Sequence, residues 1–480
     1  MRGIAPFLLP ALVFAQGLTV RIDRIIDSTP GSRQAIWGVH VVDLRTGGTI
    51  YSRHADRFFI PASNTKLFST ALALTKLGAD HRFQTLITAP TPIDSEGRVS
   101  ELRFVGGGDP NLSGRVLPYE NDAAPVDPLR YIEQFAQQLV DDGLKRVDGD
   151  IVGDDSAYEY DPYPEGWALD DPIYDYGAPV SALIVNDGTF TLRMAPDGTY
   201  ETKPAVPGLV VHNRAVQGST TRLSFVRLPG NLELTITGTI SKAYESLMGV
   251  EDQALFAAEL LREALLRRGV QIGGAARVEH TPTSGVNLLT HRSQPLIEDL
   301  RATNKESLNL HAEIALLEVA RIKRGVGSRK EGLTELKAFL KEIGIKDDQY
   351  YFKDGSGLSR QTLVTPTTMT KLLTFMYASP NREAWQSTLP IGGEDGTLDK
   401  RFAGAGAASS ILAKTGSIMH VNALAGYAGD RYAFSIMVNN SNVPASQIRR
   451  VIDQVALALV SGSETRRVPV SKQKRVAAGR

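Results

Sequence analysis

The chain has 480 residues, 42% of them hydrophobic, enough for a substantial core divided over about two to three domains. Lys plus Arg and Asp plus Glu both number 53, so no global field draws the protein to nucleic acid, and its substrate need not be polyanionic. Cysteine is absent, which excludes a thiol nucleophile, disulfides, a cysteine-ligated metal and a lipidated N-terminal Cys.

Residues 1–15 read as a signal peptide: Arg2 gives a positive start, 4–14 are almost all apolar, and Val13 and Ala15 are small. The mature start is expected near Gln16, and the protein is expected to be exported to the periplasm or cell envelope. A membrane anchor needs about 20 apolar residues, and this run is shorter and carries Pro6 and Pro10. Segments 35–44 and 49–52 flank a Thr-Gly-Gly turn and read as a hairpin. Apolar spacing predicts a helix over 67–77, stopped by Gly78, with Ser63 at the helix start.

From about 89 to 124 the chain turns rich in Pro, Gly and Asp, which marks a change of domain, and a helix follows over 129–144. Between 181 and 240 short alternating segments separated by turn residues predict a small all-β unit. Helical patterning returns over 255–268 and 308–324. The last third alternates, with helices over 331–343 and 366–377, strands over 410–416, 423–428 and 432–439, and a final helix over 445–460. The end, with Arg466, Arg467, Lys472, Lys474, Arg475 and Arg480, reads as a solvated tail, with weak contact to an anionic envelope surface as the alternative.

Three short motifs occur in order: Ser63-Asn64-Thr65-Lys66, Ser307-Leu308-Asn309 and Lys414-Thr415-Gly416. Positions three apart on a helix share a face, so Lys66 can take the Ser63 proton if burial and a cationic neighbour depress its pKa. The helix N-terminus favours a developing alkoxide. Thr415 and Ser417, next to Lys414 on a strand, are expected to hold a substrate carboxylate by charge-assisted hydrogen bonds. The backbone N–H groups of Ser63 and Ser417 would form an oxyanion hole. Chance alone supplies about one or two S-x-x-K matches in a chain of this length. Ser471–Lys474 and Ser379–Asn381 are such decoys, one in the basic tail and one interrupted by Pro380. Only the first set has a helix start, a helix and a strand in the right order.

These motifs are shared by the penicillin-interacting serine enzymes. With Gly106–Pro110, Gly153-Asp154-Asp155-Ser156, Asp354–Arg360 and Leu389–Leu398, the chain resembles the class C low-molecular-mass penicillin-binding proteins of the penicillin-binding protein 4 type, which are D-alanyl-D-alanine carboxypeptidases and endopeptidases. The resemblance implies a multi-domain α/β fold. A transpeptidase/β-lactamase-like domain, an antiparallel sheet flanked by helices, would comprise 16–85 and 290–465. Two nested, mainly-β domains would be inserted, one from 86–180 and 245–289 and a small one from 181–244, with 466–480 as the tail. It further implies Ser63 as nucleophile, Lys66 as general base, Ser307 as proton relay, Asn309 as a peptide partner and Lys414 as an electrostatic anchor, beside Thr415, Gly416 and Ser417. Asp155 and Arg360 resemble residues placed around the amino-terminated side chain of meso-diaminopimelate; a turn residue and a surface ion pair are the alternatives. Ile418 and Met419 stand where relatives can carry polar groups. The implied partners are peptidoglycan stem peptides and β-lactam antibiotics, with no cofactor and no metal.

Other readings are less well supported. His311 lies one turn beyond Ser307 without a second His four residues on, so a capping or partly buried ring is expected rather than a zinc ligand. No G-x-S-x-G elbow occurs, and Gly106–Gly108 lacks the Lys of a phosphate loop. A class A β-lactamase-like hydrolase shares the first and third motifs, but the second here is Ser-Leu-Asn. A catalytically silent wall-binding scaffold should have lost a member of the set, and all five are present.

Overall fold

The computed structural model describes residues 8–461 apart from 125 and 403. The start of the expected leader and the whole basic tail lie outside the described residues. The first helix, Leu8–Ser28, runs through the expected mature start near Gln16, and Leu18, Ile22 and Ile26 on it are buried.

The expected hairpin forms from Ile36–Asp43 and Thr49–Arg53 and belongs to a five-stranded antiparallel sheet. Ile36–Asp43 pairs residue for residue with Tyr432–Asn439, which pairs with Val421–Ala428, which pairs with the edge strand Ile411–Ile418. Every residue of Val421–Ala428 and Tyr432–Asn439 is buried, as strands covered on both faces must be. The two-residue period sorts their side chains. Leu424, Phe434, Ile436 and Val438 meet the first helix and the last, Ala445–Ser461, while Ala423, Ala425, Tyr427 and Met437 face the helices Lys66–Leu77, Asn309–Arg324 and Pro366–Ala378. Among the latter, Trp385 Nε1 donates to Tyr427 Oη at 3.0 Å, and Tyr427 Oη donates to the Leu373 carbonyl at 2.7 Å.

After Lys66–Leu77 the chain leaves this unit through Gln84–Ala89 and returns through Val286–Arg292, and these two strands are antiparallel neighbours. They belong to a second five-stranded sheet, completed by Leu102–Val105, Ile151–Asp154 and Ala276–Glu279. Two helices, Arg130–Asp141 and Gln253–Arg267, pack against each other here, so helices contribute much of a unit read as mainly β. The smaller sheets include Thr189–Met194 between Tyr200–Lys203 and Tyr244–Gly249, the last running past the expected end at 244. Large and small sheets share one apolar core, from Ile87 and Phe104 through Leu183 and Val185 to Phe190 and Ile236.

The Trp385–Tyr427–Leu373 chain joins a helix to the sheet under full burial. Tyr427→Phe should leave the indole N–H without a partner, remove the second bond to a helix carbonyl, and cost about 1–3 kcal/mol. A lower calorimetric unfolding midpoint is expected, and an unchanged midpoint would show that the chain contributes no net stability.

Candidate active site

Ser63 lies in a tight 3-10 turn, Ala62–Thr65, that leads into the helix Lys66–Leu77, rather than on the helix itself. Ala62 takes φ +48°, a region that a side chain rarely adopts, and lifts the turn toward the edge strand. The approach is close: a Cβ on Gly416 would lie 2.5 Å from the Pro61 carbonyl, and one on Gly357, at φ +80°, would lie 1.9 Å from that of Ala62. Asn64 Nδ2 donates to the Lys414 carbonyl at 3.2 Å and ties turn to strand.

Lys66 is fully buried, and its Nζ donates to Ser63 Oγ at 2.9 Å, to the Ser356 carbonyl at 2.8 Å and to Asn309 Oδ1. Burial, only partly offset by Asp354 and Glu313, brings its pKa down to about 7. Lys414 is equally buried and donates to Ser307 Oγ at 2.8 Å and the Thr415 carbonyl at 3.0 Å. Burial first, and then the neighbouring Lys66, push its pKa well below the usual lysine range. The three motifs thus converge on two adjacent amines.

Ser307 and Asn309 do not share a helix as expected. Ser307 closes a π-helical turn, Thr303–Ser307, at φ +67°, Leu308 is extended, and the helix begins only at Asn309. The reversal separates the two side chains, so that Ser307 engages Lys414 and Asn309 engages Lys66. Asn309 Nδ2 donates to the Tyr176 carbonyl of the insertion at 2.7 Å, which leaves its oxygen for the lysine.

Buried acids that sequence reasoning missed hold this arrangement. Glu313, one turn beyond Asn309, accepts the N–H groups of Gly355 and Ser356 at 2.9 and 2.8 Å and so aims the Ser356 carbonyl at Lys66. Asp354 accepts from Gly357 N, Ser359 N and Trp167 Nε1 within 3.2 Å. The sequence signal for Asp354 was the 354–360 string itself, in which only Arg360 carried a role. His311 is fully buried rather than capping: Nδ1 lies 2.6 Å from Asp299 and Nε2 3.4 Å from Asp187. Burial opposes a charged ring, but the two carboxylates outweigh it and push its pKa up to about 9. Arg115 of the insertion links Asp187 to Glu306, the residue before Ser307.

Ser63, Ser307, Asn309 and Ser417 line a cleft of about 530 Å³ that continues to Asp171, Tyr176, Arg360, Ile418 and Met419. Arg360 Nη1 donates to the Met419 carbonyl at 3.4 Å. Thr415 is turned elsewhere: its hydroxyl donates to Thr397 Oγ1 at 2.9 Å. Asp155 is outside the cleft, buried with its oxygens 2.7 Å from His280 Nδ1 and 3.1 Å from Ser181 Oγ. Two acids do line Arg360's side of the cleft, exposed Asp170 and buried Asp171; burial and Asp170 raise the Asp171 pKa while Arg360 opposes the shift.

Residues 18–459 match the D-Ala-D-Ala carboxypeptidase 3 (S13) family. The chain belongs to that family. Among curated members of like name, a D-alanyl-D-alanine carboxypeptidase of Actinomadura sp. is 32% identical over 95% of this chain and 88% of its own length. The D-alanyl-D-alanine carboxypeptidase DacB of Haemophilus influenzae is 25% identical over 80% of this chain and 81% of its own length. The crystal structure of penicillin binding protein 4 from Haemophilus influenzae superposes with a TM-score of 0.80 at 22% identity, covering 92% of this chain and 99% of that one. The fold of this family member is therefore the penicillin-binding protein 4 fold.

The His311 cluster has a pH signature. The folded ring binds its proton more tightly than an unfolded one, so its stabilisation is complete below about pH 6.5 and is lost as pH rises through about 9. Between about pH 6 and 10 the wild-type thermal midpoint should fall more than that of His311→Gln. Parallel pH curves for the two would remove His311 from the ledger.

Proposed function

We propose that this chain is an exported serine-type D-Ala-D-Ala carboxypeptidase that acts on peptidoglycan stem peptides through an acyl-enzyme on Ser63 and is acylated there by β-lactams. The observation that carries this reading is a fully buried amine, Lys66 Nζ, 2.9 Å from Ser63 Oγ, with its pKa near 7. Neutral Lys66 can keep N–H bonds to Asn309 Oδ1 and the Ser356 carbonyl while its lone pair accepts the Ser63 proton. The Ser63 oxygen attacks the penultimate D-alanine carbonyl, and the N–H groups of Ser63 and Ser417 receive the oxyanion. The proton passes through Ser307 to the departing amine, D-alanine leaves, and water releases the acyl group.

Lys414 has the role of carboxylate anchor. Burial and the neighbouring Lys66 lower its pKa, and a bound carboxylate would favour its ammonium form. Ser417 and Gly416 border this position, and Thr415 would join only by exchanging its bond to Thr397. At the far end of the cleft, Asp171 and Arg360 suit a side chain that ends in both an ammonium and a carboxylate. No helix among the described residues is long and apolar enough to cross a membrane.

Two outcomes are expected. Ser63→Ala should lose the benzylpenicillin adduct seen by intact mass and at least about a thousandfold in D-alanine release from a pentapeptide muropeptide. An adduct that persists in the variant would place the nucleophile elsewhere. In the wild type the second-order rate of penicillin acylation should climb as pH rises through about 7, because only deprotonated Lys66 is a base. A flat profile there would argue against Lys66 in that role.

A further inference from the structure

A carboxypeptidase needs room for one residue beyond the scissile bond, whereas a cross-linked substrate carries a whole peptide there. The two sides of Ser63 can be told apart by the edge strand. The cleft occupies the Ser417–Met419 end, where Asp171 and Arg360 lie. The opposite side, beyond Ser307 and Lys414, is bordered by 394–397, whose Thr397 bonds Thr415. The insertion reaches this border directly. Asn121 Nδ2 donates to the Glu394 carbonyl at 3.3 Å, Asn121 Oδ1 accepts from Gly396 N at 3.4 Å, and the Tyr119 ring lies 5.7 Å from Lys305 Nζ.

Behind these contacts opens a second cavity of about 550 Å³, comparable in size to the cleft. Glu306 lines it and the adjacent Ser307 lines the cleft, so one turn of backbone is the wall between them. Its floor is the outer face of the sheet formed by Thr189–Met194 and its two neighbours. Register sets Leu247, Thr191 and Lys203 side by side there, with Phe190 and Leu192 turned into the core. Arg193 on the same face is neutralised by Glu201 and Glu245, and Arg115 by Asp187 and Glu306. Lys203 forms no ion pair among the described residues and is exposed, and Leu247 beside it is 48% exposed. The cavity therefore offers an uncommitted cation and an apolar patch on its floor, Tyr119 in its lining, and a carboxylate, Glu306, at the end nearest the reacting atoms.

We propose that this cavity is the subsite for the leaving strand of a cross-linked substrate, a peptide with free carboxylates whose side-chain amine is released. The assignment rests on the acyl-enzyme reading above and extends it. The amide bond between the acyl carbonyl and that amine breaks as the Ser63 ester forms, and the Ser63 proton ends on the amine. The released amine is neutral at that moment, takes a second proton from solvent, and as an ammonium lies toward Glu306, while carboxylates of the same strand reach Lys203.

The test compares a cross-linked muropeptide dimer with a monomeric pentapeptide, using kcat/KM for strand release and for D-alanine release. Lys203→Glu should lower the dimer-to-pentapeptide ratio by about tenfold through KM, and Lys203→Arg should restore it. A ratio unmoved by the charge reversal, or a wild-type enzyme that releases D-alanine but leaves the dimer intact, would overturn the subsite while leaving the carboxypeptidase reading in place. Failure on both substrates would overturn both.

Discussion

Two lysines buried side by side are the constraint around which this molecule is built. An ammonium taken out of water costs several kcal/mol unless acceptors surround it. Lys66 and Lys414 draw their acceptors from separate parts of the chain: a 3-10 turn, a helix N-terminus, a loop carbonyl, a π-helical turn and the strand itself. None of these elements is adjacent to all the others in sequence. The apolar cores on either side of the sheet must therefore supply the stability that the site itself lacks, and the pKa values of both amines are set by how completely those cores exclude water.

The insertion is part of that enclosure rather than an appendage. The Tyr176 carbonyl decides which end of the Asn309 amide faces Lys66, the Trp167 indole holds Asp354, and Arg115 bridges Asp187 to the residue beside Ser307. Three contacts from one inserted unit thus reach Asn309 beside Lys66, the loop at 354–359 and the residue before Ser307. A change deep in that unit can alter catalysis without touching the cleft.

The parts of this arrangement written in local sequence were legible in advance. Periodicity located the hairpin, the helix after Ser63 and the three C-terminal strands, because each buries a face whose period shows in the side chains. The five residues Ser63, Lys66, Ser307, Asn309 and Lys414 came from short motifs and do converge. What failed was whatever depends on backbone reversals or distant partners. Ser307 has no glycine to advertise its positive φ, so a continuous helix was the natural reading. Asp155 and Asp171 both sit in acidic pairs, and only the path of the chain separates a residue paired with His280 from one that opens on the cleft. His311 read as a capping or partly buried ring, and Glu313 carried no role in the sequence reading. Their importance comes from what the loop at 354–356 and the acids at 187 and 299 bring to them.

The pairing of Ile36–Asp43 with Tyr432–Asn439 joins the two extremes of the described chain. Synthesis runs from the N-terminus, so residues 84–292, which make the insertion's large sheet, exist long before the strands that complete the catalytic sheet. Ser63 and Lys66 are made within the first 66 residues, yet the edge strand that carries Lys414 and the two strands that join it to Ile36–Asp43 come only after residue 410. The reactive pocket is thus the final part of the molecule able to close. A chain cut short before residue 411 would carry an intact serine motif without Lys414, the edge strand or the two strands that join it to Ile36–Asp43, and so could not assemble the two-lysine site.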